Sequence, residues 1–201
     1  MLVLVEFGTD LSTAIDIASA WGLKQRSQVV VPNLTLPVAE HSGPENMAGV
    51  VGALPWDWKV PYVYDFPRGK QFVETFASRY HRYPGTAAAS AYTILHEYRA
   101  AVERAKSFES APVIRALEGH AYTLLKDRQL WRDFDHQSVQ TVYAVRCNPP
   151  SVVRSDRFKL DYFDIVDTLA GEDAAQTRAE WEAARRRAGK PLTLEKLAGE
   201  P

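Results

Sequence analysis

The residues able to do acid–base or nucleophilic chemistry are few in this 201-residue chain. Glu6 and Asp10 flank the turn Gly8-Thr9-Asp10. Two carboxylates work as general acid and base only when their separation is fixed, and these two fall on opposite sides of a strand-to-helix junction. Asp10 is better explained as an N-cap, a carboxylate accepting from the first free amides of a helix. Phe134-Asp135-His136-Gln137 places an acid beside an imidazole. No nucleophile accompanies the pair, so it is not a triad, and it reads as a polar turn leading into a strand at Val139. His41, His81, His96, His120 and His136 are scattered, without the H-x-x-x-H spacing that sets two ligands on one helix face. A single cysteine, Cys147, excludes an internal disulfide and a thiolate cluster. G-x-G-x-x-G, Walker and G-x-S-x-G patterns are absent. The sequence therefore predicts no catalytic residues, no metal and no cofactor.

Binding chemistry has more support. Trp56, Trp58, Tyr62 and Tyr64 crowd one short stretch with few charges. Aromatics with polar tips suit a pocket that is apolar but must orient a ligand. The same residues suit a core, and both readings stay open.

The elements that must position these residues follow from the patterning. Leu2, Val3, Leu4 and Val5 form an unbroken apolar run, so Met1 to Phe7 reads as a buried strand from the interior of a sheet. A helix follows from Asp10 to Gly22, with Leu11, Ala14, Ile15, Ala18 and Trp21 on one face. Val29–Val31 and Gly49–Leu54 read as further buried strands. Continuous apolar strands separated by a helix are the pattern of a parallel sheet covered by helices, and three such strands are too few to stand alone. Ligands of open parallel sheets bind beyond the carboxyl ends of the strands. Phe7, Gly8, Thr9 and Asp10 lie there, as do Asn33 to Leu36 and Trp56 to Trp58.

Downstream, Pro55 to Gly69 reads as a crossing segment with an aromatic wall. A helix is predicted from Gly69 to His81, with Phe72, Val73, Phe76 and Tyr80 inward. Tyr83-Pro84-Gly85 breaks it. A longer helix is predicted from Ala87 to Ala105, with the stripe Ala91, Ile94, Leu95, Tyr98, Ala101, Val102 and Ala105 inward. Ser110 is expected to cap a short helix stopped by Gly119. Tyr122 to Arg146 has the β-branched character of strands, and Asp173 to Lys190 reads as a helix with its acids early and its arginines late.

Composition narrows the class. The net charge is −1 and 46 % of residues are hydrophobic, which fits a chain able to bury a core. Nucleic acid is not expected as a partner, because phosphate binding needs a concentrated basic surface. No apolar run approaches the roughly 20 residues that span a bilayer, and no signal peptide is visible.

The order of these segments resembles the second half of a type I periplasmic solute-binding protein of the branched-chain amino acid and amide family that serves ABC importers. LVLVEFGTDLSTAIDIASAWGL looks like a strand, loop and helix of the family's second lobe. AGVVGALPW resembles its G-x-x-G strand before a crossing. Phe72 to Gly119 is similar to its run of helices, with the Tyr80-x-x-x-Pro84 break and the final Ala116-Leu117-x-Gly119. WRDFDHQSVQTVYAV and DYFDIVDTLAGEDA resemble its late strand and C-terminal segment. The likeness covers Leu2 to about Ala175.

The resemblance implies an α/β, two-lobed fold that is incomplete here, with lobe two at 1–62, lobe one at 63–122 and lobe two again at 123–201. It implies capture of a small solute without chemistry, a membrane ABC permease as partner and a periplasmic location. By resemblance, the ligand contacts are Phe7, Gly8, Thr9, Asp10, Asn33 and Trp56, with Asp10 or an aromatic face meeting an ammonium, and Thr9 and Asn33 orienting a carboxylate or amide. A ligand-sensing receptor domain of the same fold, and an α/β enzyme, are the competing expectations.

Overall fold

The computed structural model describes residues 1–194. The chain begins with β1 (Leu2–Val3), α1 (Gly8–Ala20), a 3₁₀ turn (Leu23–Gln25), β2 (Val29–Val31), α2 (Leu36–Met47) and β3 (Val51–Leu54). The three strands are parallel neighbours, with Leu2 opposite Val29 and Val30 opposite Val51. Leu11, Ile15 and Ala18 of α1 are buried, as the spacing predicts. α1 also packs on α2, where Ser42 Oγ donates to Ser12 O at 3.3 Å and Asn46 Nδ2 to Asp16 Oδ1 at 2.9 Å. Each fully buried Leu or Ile on this face contributes about 1.5–3 kcal/mol. Gly22 ends the turn of chain after α1 in the left-handed region (φ 66°), as expected for a C′ glycine.

Three local expectations are corrected here. Met1 to Phe7 is not one long strand: β1 is two residues long and, among the described residues, lies at the sheet edge, paired with β2. Leu4 is buried, but Val3, Val5 and Phe7 are exposed. An unbroken apolar run looks the same whether both its faces are covered or one. Asp10 is not the N-cap of α1: Phe7 is, in an extended conformation, and Asp10 sits inside the first turn. Trp21 lies on the solvent side of its helix end.

The middle of the chain holds α3 (Val60–Val63), α4 (Pro67–Tyr80), α5 (Thr86–Ala105) and α6 (Ser110–Leu117), then β4 (Ala121–Tyr122), β5 (Gln129–Trp131) and β6 (Ser138–Val139). Pro67 opens α4, where its missing N–H costs nothing. Val73 and Ala77 are buried on α4, whereas Tyr80 is exposed. The N-cap of α6 is Glu109 and not Ser110. β4, β5 and β6 form a small antiparallel sheet of their own.

α5 packs on α6, and only part of the expected stripe turns inward, with Ala101 buried as predicted. It buries Ala89, Thr93, Glu97 and Ala101. Ile94, Leu95 and Tyr98 are exposed, Leu95 by 68 %. Alanines are spread around this helix, so periodicity alone does not choose a face, and the inward row of residues four apart is polar at two positions.

β7 (Val142–Cys147), α7 (Pro150–Ser155), β8 (Phe163–Leu169), α8 (Gly171–Ala174) and α9 (Arg178–Arg187) complete the order. β7 runs antiparallel to β3, and β8 to β7, giving a mixed five-stranded sheet in the order β1-β2-β3-β7-β8. The fold is α/β, as expected. α9 carries a full capping box, Thr177 accepting from Glu180 N while Glu180 accepts from Thr177 N. Among the described residues, no helix is long and apolar enough to cross a membrane.

Candidate functional site

Parallel strands leave their backbone ends and following loops on one rim, and the first two loops are open. Phe7, 65 % exposed, caps α1 with no side-chain hydrogen bond. Gly8 has φ 58°, a conformation that favours glycine, and it lets the segment that follows β1 turn into α1. Thr9 and Asp10 are exposed in the first turn. Ser12 Oγ donates to Thr9 O at 3.0 Å, which pins the turn from inside. Asn33 is exposed in the turn after β2, and the next residue is anchored by Leu34 N donating to Ala53 O at 3.0 Å. A glycine is required opposite: a Cβ at Gly52 would stand 2.8 Å from Leu34 Cβ.

Trp56, after β3, goes elsewhere. It is only 4 % exposed and meets Phe72 edge to face at 5.9 Å. Its carbonyl accepts from Thr86 Oγ1 at 2.7 Å, tying the end of β3 to the start of α5. The residue belongs to the core, as one of the two readings of this aromatic stretch has it, and it also walls a cavity. Its ring lines a cavity of about 160 Å³ between α5 and the small sheet, with Thr93, Tyr122, Lys126, Gln129 and Trp131 among its other walls. Phe7, Gly8, Thr9, Asp10 and Asn33 do not line it. The structure thus separates Trp56 from the other five candidate residues.

Lys126 organises the chain beside this cavity. Its side chain is buried, and its ammonium donates to Pro55 O and Thr141 O, both at 2.7 Å. It also stands 5.2 Å from the centre of the Tyr143 ring. Burial lowers its pKa to about 8, against the opposing pull of Asp127. Gln129 Nε2 donates to Gln140 Oε1 at 3.2 Å. The indole N–H groups of Trp56 and Trp131 are buried with no acceptor.

A second aromatic group closes the aromatic stretch on the other side. Trp58 stacks on Tyr83 at 3.8 Å and 9°. Tyr83 Oη donates to Asp156 Oδ1 at 2.8 Å. The other Asp156 oxygen accepts from the amides of Phe158 and Leu160. Between the two groups lies Asp57, fully buried. Burial raises its carboxyl to about 7, although Lys59 N donates to Oδ1 at 3.0 Å.

Asp135 pairs with Arg132, and His136 Nε2 lies 2.8 Å from Glu118 Oε1. Both belong to a polar turn between β5 and β6, as the sequence predicts. Sequence reasoning did not single out Asp57, Lys126 or Trp131. Lys126 opens the charged run Lys126-Asp127-Arg128 directly after Leu124-Leu125, which reads as a solvated turn and hides its burial.

The family profile for periplasmic binding proteins matches residues 1–153. The chain belongs to this family. Solved structures agree on the fold of this family member. A periplasmic binding protein from Burkholderia mallei is 22 % identical, with TM-score 0.77 over 89 % of this chain and 45 % of its own. A branched-chain amino acid ABC transporter ligand-binding protein from Burkholderia xenovorans gives 22 % identity and TM-score 0.72, over 89 % of this chain and 46 % of its own. A leucine-, isoleucine-, valine-, threonine- and alanine-binding protein from Brucella ovis, in its closed conformation, gives 16 % and 0.69 over 87 % and 44 %. The chain therefore spans less than half the length of these proteins. No curated protein matches it by sequence.

Proposed function

We propose that this chain is part of the substrate-binding component of an ABC importer, which captures a small solute such as a branched-chain amino acid, an amide or a related carboxylate and works in the periplasm beside a membrane permease. The observation that carries the reading is the open rim at Phe7 to Asp10 and Asn33 on a periplasmic-binding-protein fold. Thr9 and Asn33 supply hydrogen bonds to a carboxylate or amide, and the Asp10 carboxylate meets an ammonium. Phe7 covers the apolar part of the ligand, with the Gly8 backbone beneath it. Trp56 is the sixth contact of this reading, although it is buried in the core apart from the rim. Capture of this kind is binding without turnover. Residues 1–62 and 123–201 serve as segments of one lobe and 63–122 as a segment of the other, and closure of the lobes on the solute is the signal a permease reads.

This chain by itself is not expected to hold the solute as two lobes do, so calorimetry of a protein carrying both complete lobes, with a panel of small amino acids, amides and carboxylates, tests the reading. At least one member should bind with a Kd in the micromolar to millimolar range, and Asp10→Ala or Asn33→Ala should weaken it about tenfold. An absence of heat across the whole panel overturns the proposal.

A further inference from the structure

α4 carries an aromatic row that the core does not absorb. Arg68, Phe72, Phe76 and Tyr80 fall four residues apart, so they follow one another along the helix surface. The adjoining row, Gly69, Val73 and Ala77, is the buried one. Phe72 and Phe76 are half-buried, and Tyr80 is 54 % exposed. With Tyr92 of α5 the rings make a ladder, Tyr92 to Phe72 at 4.9 Å, Phe72 to Phe76 at 6.0 Å and Phe76 to Tyr80 at 4.6 Å. The ladder lines an open groove of about 390 Å³.

The charge around this ladder has one sign. Arg68 and Arg79 line the groove, and no carboxylate does. Arg68 donates to the Tyr92 hydroxyl at 3.3 Å and lies 3.5 Å from His96 Nδ1. Arg79 lies over the Tyr80 ring at 5.7 Å. Among the described residues, neither guanidinium has a carboxylate partner. Glu74, the one acid of α4, is engaged elsewhere, accepting from Tyr62 Oη and standing 3.6 Å from Arg157. Protein interfaces are enriched in aromatic residues and arginine and depleted in lysine, aspartate and glutamate, and the groove has that composition. Arg68 and Arg79 are eleven residues apart on one helix, about three turns or 16 Å, and so share a side of it.

We propose that this groove docks an acidic, amphipathic helix of a partner protein, lying along α4 with its apolar side chains on the ring ladder and one carboxylate at each guanidinium. A helix whose own acids are eleven residues apart carries both on one face and matches Arg68 and Arg79 in register. An arginine fork takes a carboxylate through two parallel hydrogen bonds, which fixes the sign and the spacing of the partner together. The groove shares no residue with the rim at Phe7 to Asp10 and Asn33, and the proposal stands whether or not that rim binds a solute.

The probe is an alanine-based helical peptide of about eighteen residues, with two glutamates eleven residues apart and leucines between them on the same face. Calorimetric titration into the chain is expected to show saturable binding with a Kd below about 1 mM. The same peptide with lysines in place of the glutamates should bind at least tenfold more weakly. The acidic peptide should lose at least tenfold in affinity for the double variant Arg68→Ala/Arg79→Ala. Both arginines are exposed, so the circular dichroism of that variant should match the wild type. Added salt should weaken the acidic peptide and spare the remainder of the binding. No saturation by the acidic peptide, an equal response to the lysine peptide, or binding that survives both substitutions overturns the proposal. Self-association of the chain that disappears in the double variant also overturns it, since the groove then belongs to a second copy.

Discussion

Lys126 Nζ donates to the carbonyl oxygen of Pro55 at 2.7 Å. Pro55 follows β3, and the second acceptor of the same ammonium, Thr141, precedes β7. One buried cation therefore clamps the two backbone segments that leave and re-enter the main sheet. Lys126→Met keeps the apolar stem and removes the donors, so two buried carbonyls lose their partner. The expected cost is about 2–4 kcal/mol, read by urea unfolding. A variant as stable as the wild type would show that the clamp contributes nothing.

Asp57 gives the stability curve a defined slope. Its folded pKa of about 7 lies above the ordinary 3.8. Between those values the folded chain holds more protons than the unfolded chain, so the contribution of Asp57 to stability falls as pH rises from about 4 to 7 and is flat above. Asp57→Asn keeps an acceptor for Lys59 N and removes the titration. The advantage of the variant over the wild type should grow by on the order of 3 kcal/mol between pH 4.5 and pH 8, measured by urea unfolding at both. A constant difference would contradict the account.

Tyr83→Phe retains the stack on Trp58 and deletes the hydroxyl that donates to Asp156. The expected loss is about 1 kcal/mol. Tyr83→Ala also removes the stack and should cost about 3–5 kcal/mol. Thermal unfolding of the two variants separates the hydrogen bond from the ring.

Gly69→Ala would raise helix propensity by about 1 kcal/mol on a bare helix. Here the added Cβ runs into the backbone oxygen of Leu125 and the ring of Pro61. The variant should therefore be destabilised, by about 1–3 kcal/mol, in urea. Stabilisation would mean that the contact between α4 and the Leu125 segment is loose.

Much of this fold is written in local patterns, and the limits are equally physical. β2, β3, α1 and α4 follow from apolar runs and helical spacing. α2 was not predicted, because Gly43 and Pro44 interrupt it, Gly43 at φ 77°. The position of β1 at the edge is a property of its neighbours, which a run of Leu and Val does not encode. The inward row of α5, Ala89, Thr93, Glu97 and Ala101, is not its most apolar stripe. For the candidate site, Phe7, Gly8, Thr9, Asp10 and Asn33 were legible because loops after parallel strands share a rim. The Trp56 cavity was not, since Lys126, Trp131 and Thr93 converge on it only through tertiary packing.

The central claim is that the rim formed by the loops after β1 and β2 captures a small solute. Backbone amide shifts of a protein carrying both complete lobes, during titration with a panel of amino acids, amides and carboxylates, test it most directly. The account predicts that at least one solute moves the amides of Gly8, Thr9, Asp10 and Asn33 together, with one saturation curve. A panel in which every solute leaves these four amides in place would contradict it.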